Sequence, residues 1–145
     1  MGKTNWSRVF AGGLLAGVVF IVLGWATYAI YLGKLWSFAL EALGHPPSAM
    51  TFGDYVAVIV LSLVLGIFAV WLYSAIRPRY GAGPKTAVIA GLLVWFFHSL
   101  FVSRFSLSAF DLFPVSVLSM DSLSFLVMYI AATLVGAWVY KEQPQ

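Results

Sequence analysis

With 145 residues, 62% of them hydrophobic and 9% charged, the chain carries far less charge than a soluble globule, which holds about 25% charged residues. Its net charge of +3 arises from bases beside apolar stretches and not along a soluble face, which argues against a nucleic-acid partner. The absence of cysteine excludes disulfides, thiolate metal sites, iron–sulfur clusters and dithiol redox chemistry.

Four apolar stretches, residues 9–32, 55–76, 86–105 and 123–140, each reach the roughly 17–25 residues that cross a bilayer as a helix. A lone strand would leave its backbone unpaired in lipid, and four strands are too few for a barrel. The sequence therefore predicts an all-α transmembrane four-helix bundle, a single membrane domain over residues 1–145. The first stretch follows Lys3 and Arg8 but exceeds the roughly 7–15 apolar residues of a signal peptide, so an uncleaved anchor is expected.

Between the first two stretches, Leu35, Trp36, Ala39, Ala42 and Leu43 share one helical face while Lys34, Ser37 and Glu41 lie off it. That pattern predicts a short helix lying in the interface, ended by His45-Pro46-Pro47. The middle connection, Arg77 to Lys85, reads as a tight turn in which Pro78 stops one helix, Gly81 and Gly83 permit reversal, and Pro84 opens the next helix. The third connection, residues 103–121, mixes Phe105, Phe110 and Phe113 with serines and Pro114, and is expected to be a second amphipathic outer loop.

Four crossings put both termini on one side. Lys3, Arg8, Arg77, Arg79, Lys85 and Lys141 share that side with one acid, Glu142; Lys34 and Arg104 lie opposite with Glu41, Asp54, Asp111 and Asp121. The positive-inside rule then predicts cytoplasmic termini and a multi-pass protein of the cytoplasmic (inner) membrane. Arg77, Arg79 and Lys85 are expected to meet anionic lipid headgroups. Although Gly81 to Thr86 superficially resembles a phosphate-binding loop, its spacing is wrong and Pro84 removes an amide donor, so nucleotide binding is excluded.

Small residues recur at intervals of four, marking Gly13, Gly17, Gly91 and Gly136 as helix-packing positions, either within the bundle or between copies. A faint repeat relates Ala11-Gly12-Gly13-Leu14-Leu15 to Ala90-Gly91-Leu92-Leu93, and Trp71-Leu72-Tyr73 to Trp138-Val139-Tyr140. Duplication of a hairpin explains it, as does the general preference for glycine within spans and aromatics at interfaces.

His98 is the ionisable residue deepest in a span, and such residues are costly enough in lipid to be functional candidates. With Trp95, Tyr28, Tyr31 and Ser99, and with Arg104, Asp54, Asp111 and Asp121 at the rim, it defines a predicted outer pocket between the first and third spans for a small apolar or amphiphilic ligand. His98 could also ligate haem or chlorophyll, or be a neutral imidazole bonded to a neighbouring hydroxyl or carbonyl. No residue spacing enforces a catalytic constellation or a metal site, so no enzyme activity and no particular cofactor is expected.

The run Asn5-Trp6-Ser7-Arg8-Val9-Phe10-Ala11-Gly12-Gly13-Leu14-Leu15-Ala16-Gly17, the Leu32-Gly33-Lys34 and Trp36 that follow, and Ala75 to Ala87 around Arg77-Pro78-Arg79 resemble uncharacterised small four-helix membrane proteins of bacteria over most of the length. The resemblance implies the same topology and no particular activity. The function expected first is a non-enzymatic membrane protein that self-associates or serves as an accessory subunit of a larger complex. Ligand binding or transport through the outer pocket, and pigment or haem binding, stand behind it.

Overall fold

Asn5 opens the first helix by accepting the Arg8 amide on its side-chain oxygen at 3.3 Å, satisfying one of the amides that a helix start leaves free. From there α1 (Trp6–Thr27) passes into a π-helical turn (Tyr28–Leu32) and on into α2 (Gly33–Ala42). The computed structural model describes residues 4–44, 50–100 and 113–142. Its remaining helices are α3 (Phe52–Tyr80), α4 (Pro84–Phe97), which a further turn extends to Leu100, and α5 (Val115–Val139).

Together α1, the π turn and α2 make one rod of 37 residues, about 55 Å long at about 1.5 Å per residue and so well beyond about 30 Å of hydrocarbon. This corrects the expected break at Gly33 and the separate interfacial helix. The Gly33 amide bonds back to the Tyr28 carbonyl, and a Cβ there would lie 2.8 Å from that oxygen. Glycine here admits a widened turn and does not end the helix. The turn is held in place because Leu32 and Ala39 are buried and Trp36 is anchored on α5.

A capping box starts α3: the Thr51 hydroxyl accepts the Asp54 amide, and the Asp54 carboxylate accepts the Thr51 amide at 2.8 Å. The helix continues through Pro78 to Tyr80, correcting the expected stop at Pro78. Pro78 removes the amide that would have donated to the Ser74 carbonyl, yet the turn beyond it still closes, the Gly81 amide donating to the Arg77 carbonyl at 2.9 Å. The stop falls at Gly81, whose φ of +86° is open to glycine at little cost. The Thr86 hydroxyl donates to the Gly81 carbonyl at 2.7 Å, and the Gly83 amide donates to the Tyr73 hydroxyl at 3.3 Å, closing the turn on both sides.

Around the bundle α3 packs on α1 and α4, and α5 packs on α1 and α4 while also touching α3 across the middle. The tightest seam joins α1 to α3: a Cβ on Gly66 would stand 2.3 Å from both the Gly13 carbonyl oxygen and the Gly17 nitrogen. On the other side of α1, a Cβ on Gly12 would come within 2.5 Å of the Gly136 oxygen of α5. These contacts let backbones touch where water cannot drive helices together.

Asn5 donates its amide to the Tyr140 hydroxyl at 3.4 Å, and the Tyr140 ring meets Tyr73 edge-on at 5.9 Å. Both ends of the described chain thus share the end of the bundle that holds the Gly81–Gly83 turn, here the turn end; the opposite end is the far end. Three helices, Trp6–Ala42, Phe52–Tyr80 and Val115–Val139, are long and apolar enough to cross a membrane. The fourth, Pro84–Leu100, covers 17 described residues, and the rest of its expected span, 101–105, lies outside the described residues.

Candidate functional site: a polar layer around the last helix

Helix α5 begins at Val115, so Asp121, expected as a solvated acid of an outer loop, belongs to a helix and is 8% exposed. The reason lies across the interface. Trp36 of α2 donates its indole N–H to the Asp121 carboxylate at 3.2 Å, and the Trp36 ring meets Phe113 edge-on at 4.9 Å. A carboxylate with a dedicated donor can be covered where a lone one would stay in water.

One turn further along, the Tyr31 hydroxyl bonds to the Ser124 hydroxyl, which donates to the Met120 carbonyl at 2.7 Å. Thr27 bonds to the Leu23 carbonyl and reaches the Met128 sulfur at 3.7 Å. On the opposite flank of α5, Trp95 of α4 donates to the Ser122 carbonyl at 2.8 Å. The His98 ring stacks at 4.7 Å from Phe125 and 5.5 Å from Tyr129, and Phe20 of α1 closes on Tyr129 at 4.6 Å.

Four buried polar atoms in this region, His98 Nδ1, Ser99 Oγ, Tyr129 OH and Thr133 Oγ1, have no hydrogen-bond partner among the described residues. Asp121, Ser124, Tyr129 and Thr133 are all buried on α5, at steps of three, five and four residues, and the step of five turns Tyr129 about 140° around the helix from Ser124. The layer is therefore a set of buried polar groups on α5 that meets α1 and α2 on one flank and α4 on the other.

This arrangement departs from the predicted pocket. No interface of comparable extent joins α1 to α4, because α5 stands between them. The candidates Tyr31 and Trp95 bond to α5 from opposite flanks, and each flank has its own cleft. One of about 380 Å³ is lined by Thr27, Tyr31, Ser124 and Met128, and one of about 340 Å³ by Trp95, Ser99, Ser119 and Ser122; Leu123, 60% exposed, borders both. Tyr28 is 57% exposed and lines neither. Arg104 and Asp111 lie outside the described residues.

His98 lines neither cleft. Its ring is engaged by Phe125 and Tyr129, and His45, the other histidine, lies outside the described residues. Among the described residues no group of three His, Asp or Glu side chains stands together as a metal site.

At the turn end, Arg77 lies 3.6 Å from Glu142 and 5.4 Å over the Tyr140 ring, while Arg79 and Lys85 are exposed. The packing glycines Gly13, Gly17 and Gly136 sit in seams within the chain, as does Gly91, where a Cβ would meet the Tyr129 oxygen at 3.0 Å.

Sequence reasoning missed Trp36 as a donor, and missed Asp121, Ser124, Tyr129 and Thr133 as buried polar positions of one helix. Beginning the last span at 123 separated Asp121 from the others. Comparison with protein-family models, with curated proteins and with solved structures finds no match.

Proposed function

We propose that this protein is a non-enzymatic, multi-pass protein of the bacterial inner membrane that works by packing, as a homo-oligomer or as a subunit of a larger membrane complex. The observation that carries this reading is the far half of α3. Every residue from 51 to 61 is exposed, about three turns of helix, with Val56, Val58, Ile59, Val60 and Leu61 all at least 41% exposed. A helix at the edge of a bundle buries one face against its neighbours; this half buries none among the described residues, although Tyr55 stands 6.4 Å from Trp25 on α1. Lipid can cover such a surface, but lipid tails pack less closely than a complementary helix, and dispersion is the main force between helices in a membrane.

Orientation follows from charge. Arg77, Arg79 and Lys85 flank the turn and Lys141 follows α5 at the same end, whereas Asp54 and Glu41 lie at the far end, which supports a cytoplasmic turn end. The resemblance of the opening and turn segments to small bacterial four-helix membrane proteins supports the bacterial inner membrane. The packing reading is favoured over ligand binding between the first and third spans by the position of α5, which packs on both α1 and α4.

The test is the mass of the protein extracted directly from its own membranes into polymer nanodiscs, by light scattering with the lipid contribution separated. A discrete homo-oligomer, or a second protein at fixed stoichiometry, is expected. A monomer carrying lipid alone, at every extraction ratio, would refute the reading.

A further inference from the structure

The turn end carries a second feature, independent of the assembly surface. Between α4 and α5 runs a groove of about 330 Å³ lined by Tyr73, Pro84, Ala87, Leu134, Ala137 and Trp138. Its walls are mostly apolar, and the Tyr73 hydroxyl accepts the amide of Gly83, which also borders the groove. Trp138 stands 83% exposed at its edge, the position of an aromatic residue at a membrane interface.

Charge gathers at the same place. Lys85 directly follows the groove residue Pro84, and Arg79 lies just before the turn, both exposed. Arg77 stacks on Tyr140, whose ring meets the groove residue Tyr73, and Glu142 offsets part of its charge. An apolar channel that opens beside the exposed cations Arg79 and Lys85 matches a molecule with a hydrocarbon tail and an anionic head.

We propose that this groove binds an anionic phospholipid, with one acyl chain lying between α4 and α5 against Ala87, Leu134 and Trp138 and the phosphate held by Arg79 and Lys85. A zwitterionic lipid gains the same apolar contact but little from the bases. Each base near an anionic headgroup contributes enough for about a fivefold preference, so two give about 25-fold.

The experiment is native mass spectrometry of the full chain released from nanodiscs containing equal amounts of phosphatidylglycerol and phosphatidylcholine. Retained phosphatidylglycerol is expected to exceed phosphatidylcholine by about 25-fold, and the double variant Arg79→Gln/Lys85→Gln to bring the two near parity, with Arg79→Lys/Lys85→Arg retaining the preference. Trp138→Ala, an exposed substitution that leaves the core untouched, is expected to lower the number of retained lipids several-fold. Equal retention of the two lipids by the unaltered chain would overturn the proposal, as would an unchanged preference in the glutamine variant. Unchanged retention in Trp138→Ala would remove the groove from it. Inorganic phosphate provides the remaining control: if millimolar phosphate in phosphatidylcholine nanodiscs raises the melting temperature as much as phosphatidylglycerol does, the site is one for a free anion and the lipid assignment fails.

Discussion

Helices α3 and α5 treat the membrane in opposite ways. In its most apolar window α3 has the higher mean hydropathy, 2.7 against 1.9, yet 17% of that window is buried inside the chain against 39% for α5. The polar helix is central and the apolar helix peripheral. In water that order would be unstable; in a bilayer it is the favourable one, because lipid solvates an aliphatic surface and cannot solvate Asp121 or Thr133. What sets α3 apart is that its own two halves differ. Toward the turn, Gly66, Ala69, Val70, Tyr73 and Ser74 are buried, and away from it no residue from 51 to 61 is. The chain completes its own packing around α5 and leaves one stretch of α3 open.

The sharpest way to break this contrast is at the seam that fixes α3. Gly66→Leu places a side chain where even a Cβ would stand 2.3 Å from the α1 backbone, so α1 and α3 must separate. A loss of about 3 kcal/mol or more is expected, read as loss of the folded species in a denaturant titration in mild detergent. Retention of wild-type stability would mean that α1 and α3 do not pack at this register.

Next in size is the bond between Trp36 and Asp121. Trp36→Phe leaves a covered carboxyl group without its indole donor and should cost about 1–3 kcal/mol. Adding Asp121→Leu should recover most of that loss, since replacing both partners by apolar groups removes the unsatisfied group. A single variant within about 0.5 kcal/mol of the parent would show that Asp121 has another partner.

A smaller effect of opposite sign is expected at Tyr129. Its ring packs against Phe20 and His98, while its hydroxyl is buried without a partner among the described residues. Tyr129→Phe keeps the ring and removes the orphan, which should raise stability by up to about 1 kcal/mol. A destabilised variant would reveal a bound water or a partner at that oxygen.

Smallest of all should be substitutions on the open half of α3. Val58→Ala and Leu61→Ala are expected to change the stability of the isolated chain by less than about 0.5 kcal/mol, because both side chains are exposed. Each should nonetheless weaken assembly in the membrane. Val70→Ala, in the buried half of the same helix, should do the reverse, costing about 0.5–2 kcal/mol with assembly intact.

Much of the architecture was legible before any coordinates. Composition and the length of the apolar runs define helices in lipid, the small residues at intervals of four mark the seams, and Gly81 and Gly83 mark the reversal. The unforeseen parts were those decided by contacts distant in sequence. Gly33 is indistinguishable from a helix terminator until Trp36 is seen reaching Asp121, which ties the helix beyond the π turn to α5. Asp121 reads as a loop acid until its donor is known. Hydropathy locates spans without saying which are neighbours: α5 stands between the helices that carry Tyr31 and His98.

The central claim, that the far half of α3 is an assembly surface, is tested most directly by placing a photo-cross-linking amino acid singly at each position from 52 to 61 and irradiating intact native membranes. The account predicts protein adducts of one discrete mass at positions spaced three and four apart, the signature of a helix face docked on a partner. Lipid adducts alone, uniform around the helix, would show that the bilayer is its only neighbour and would contradict the account.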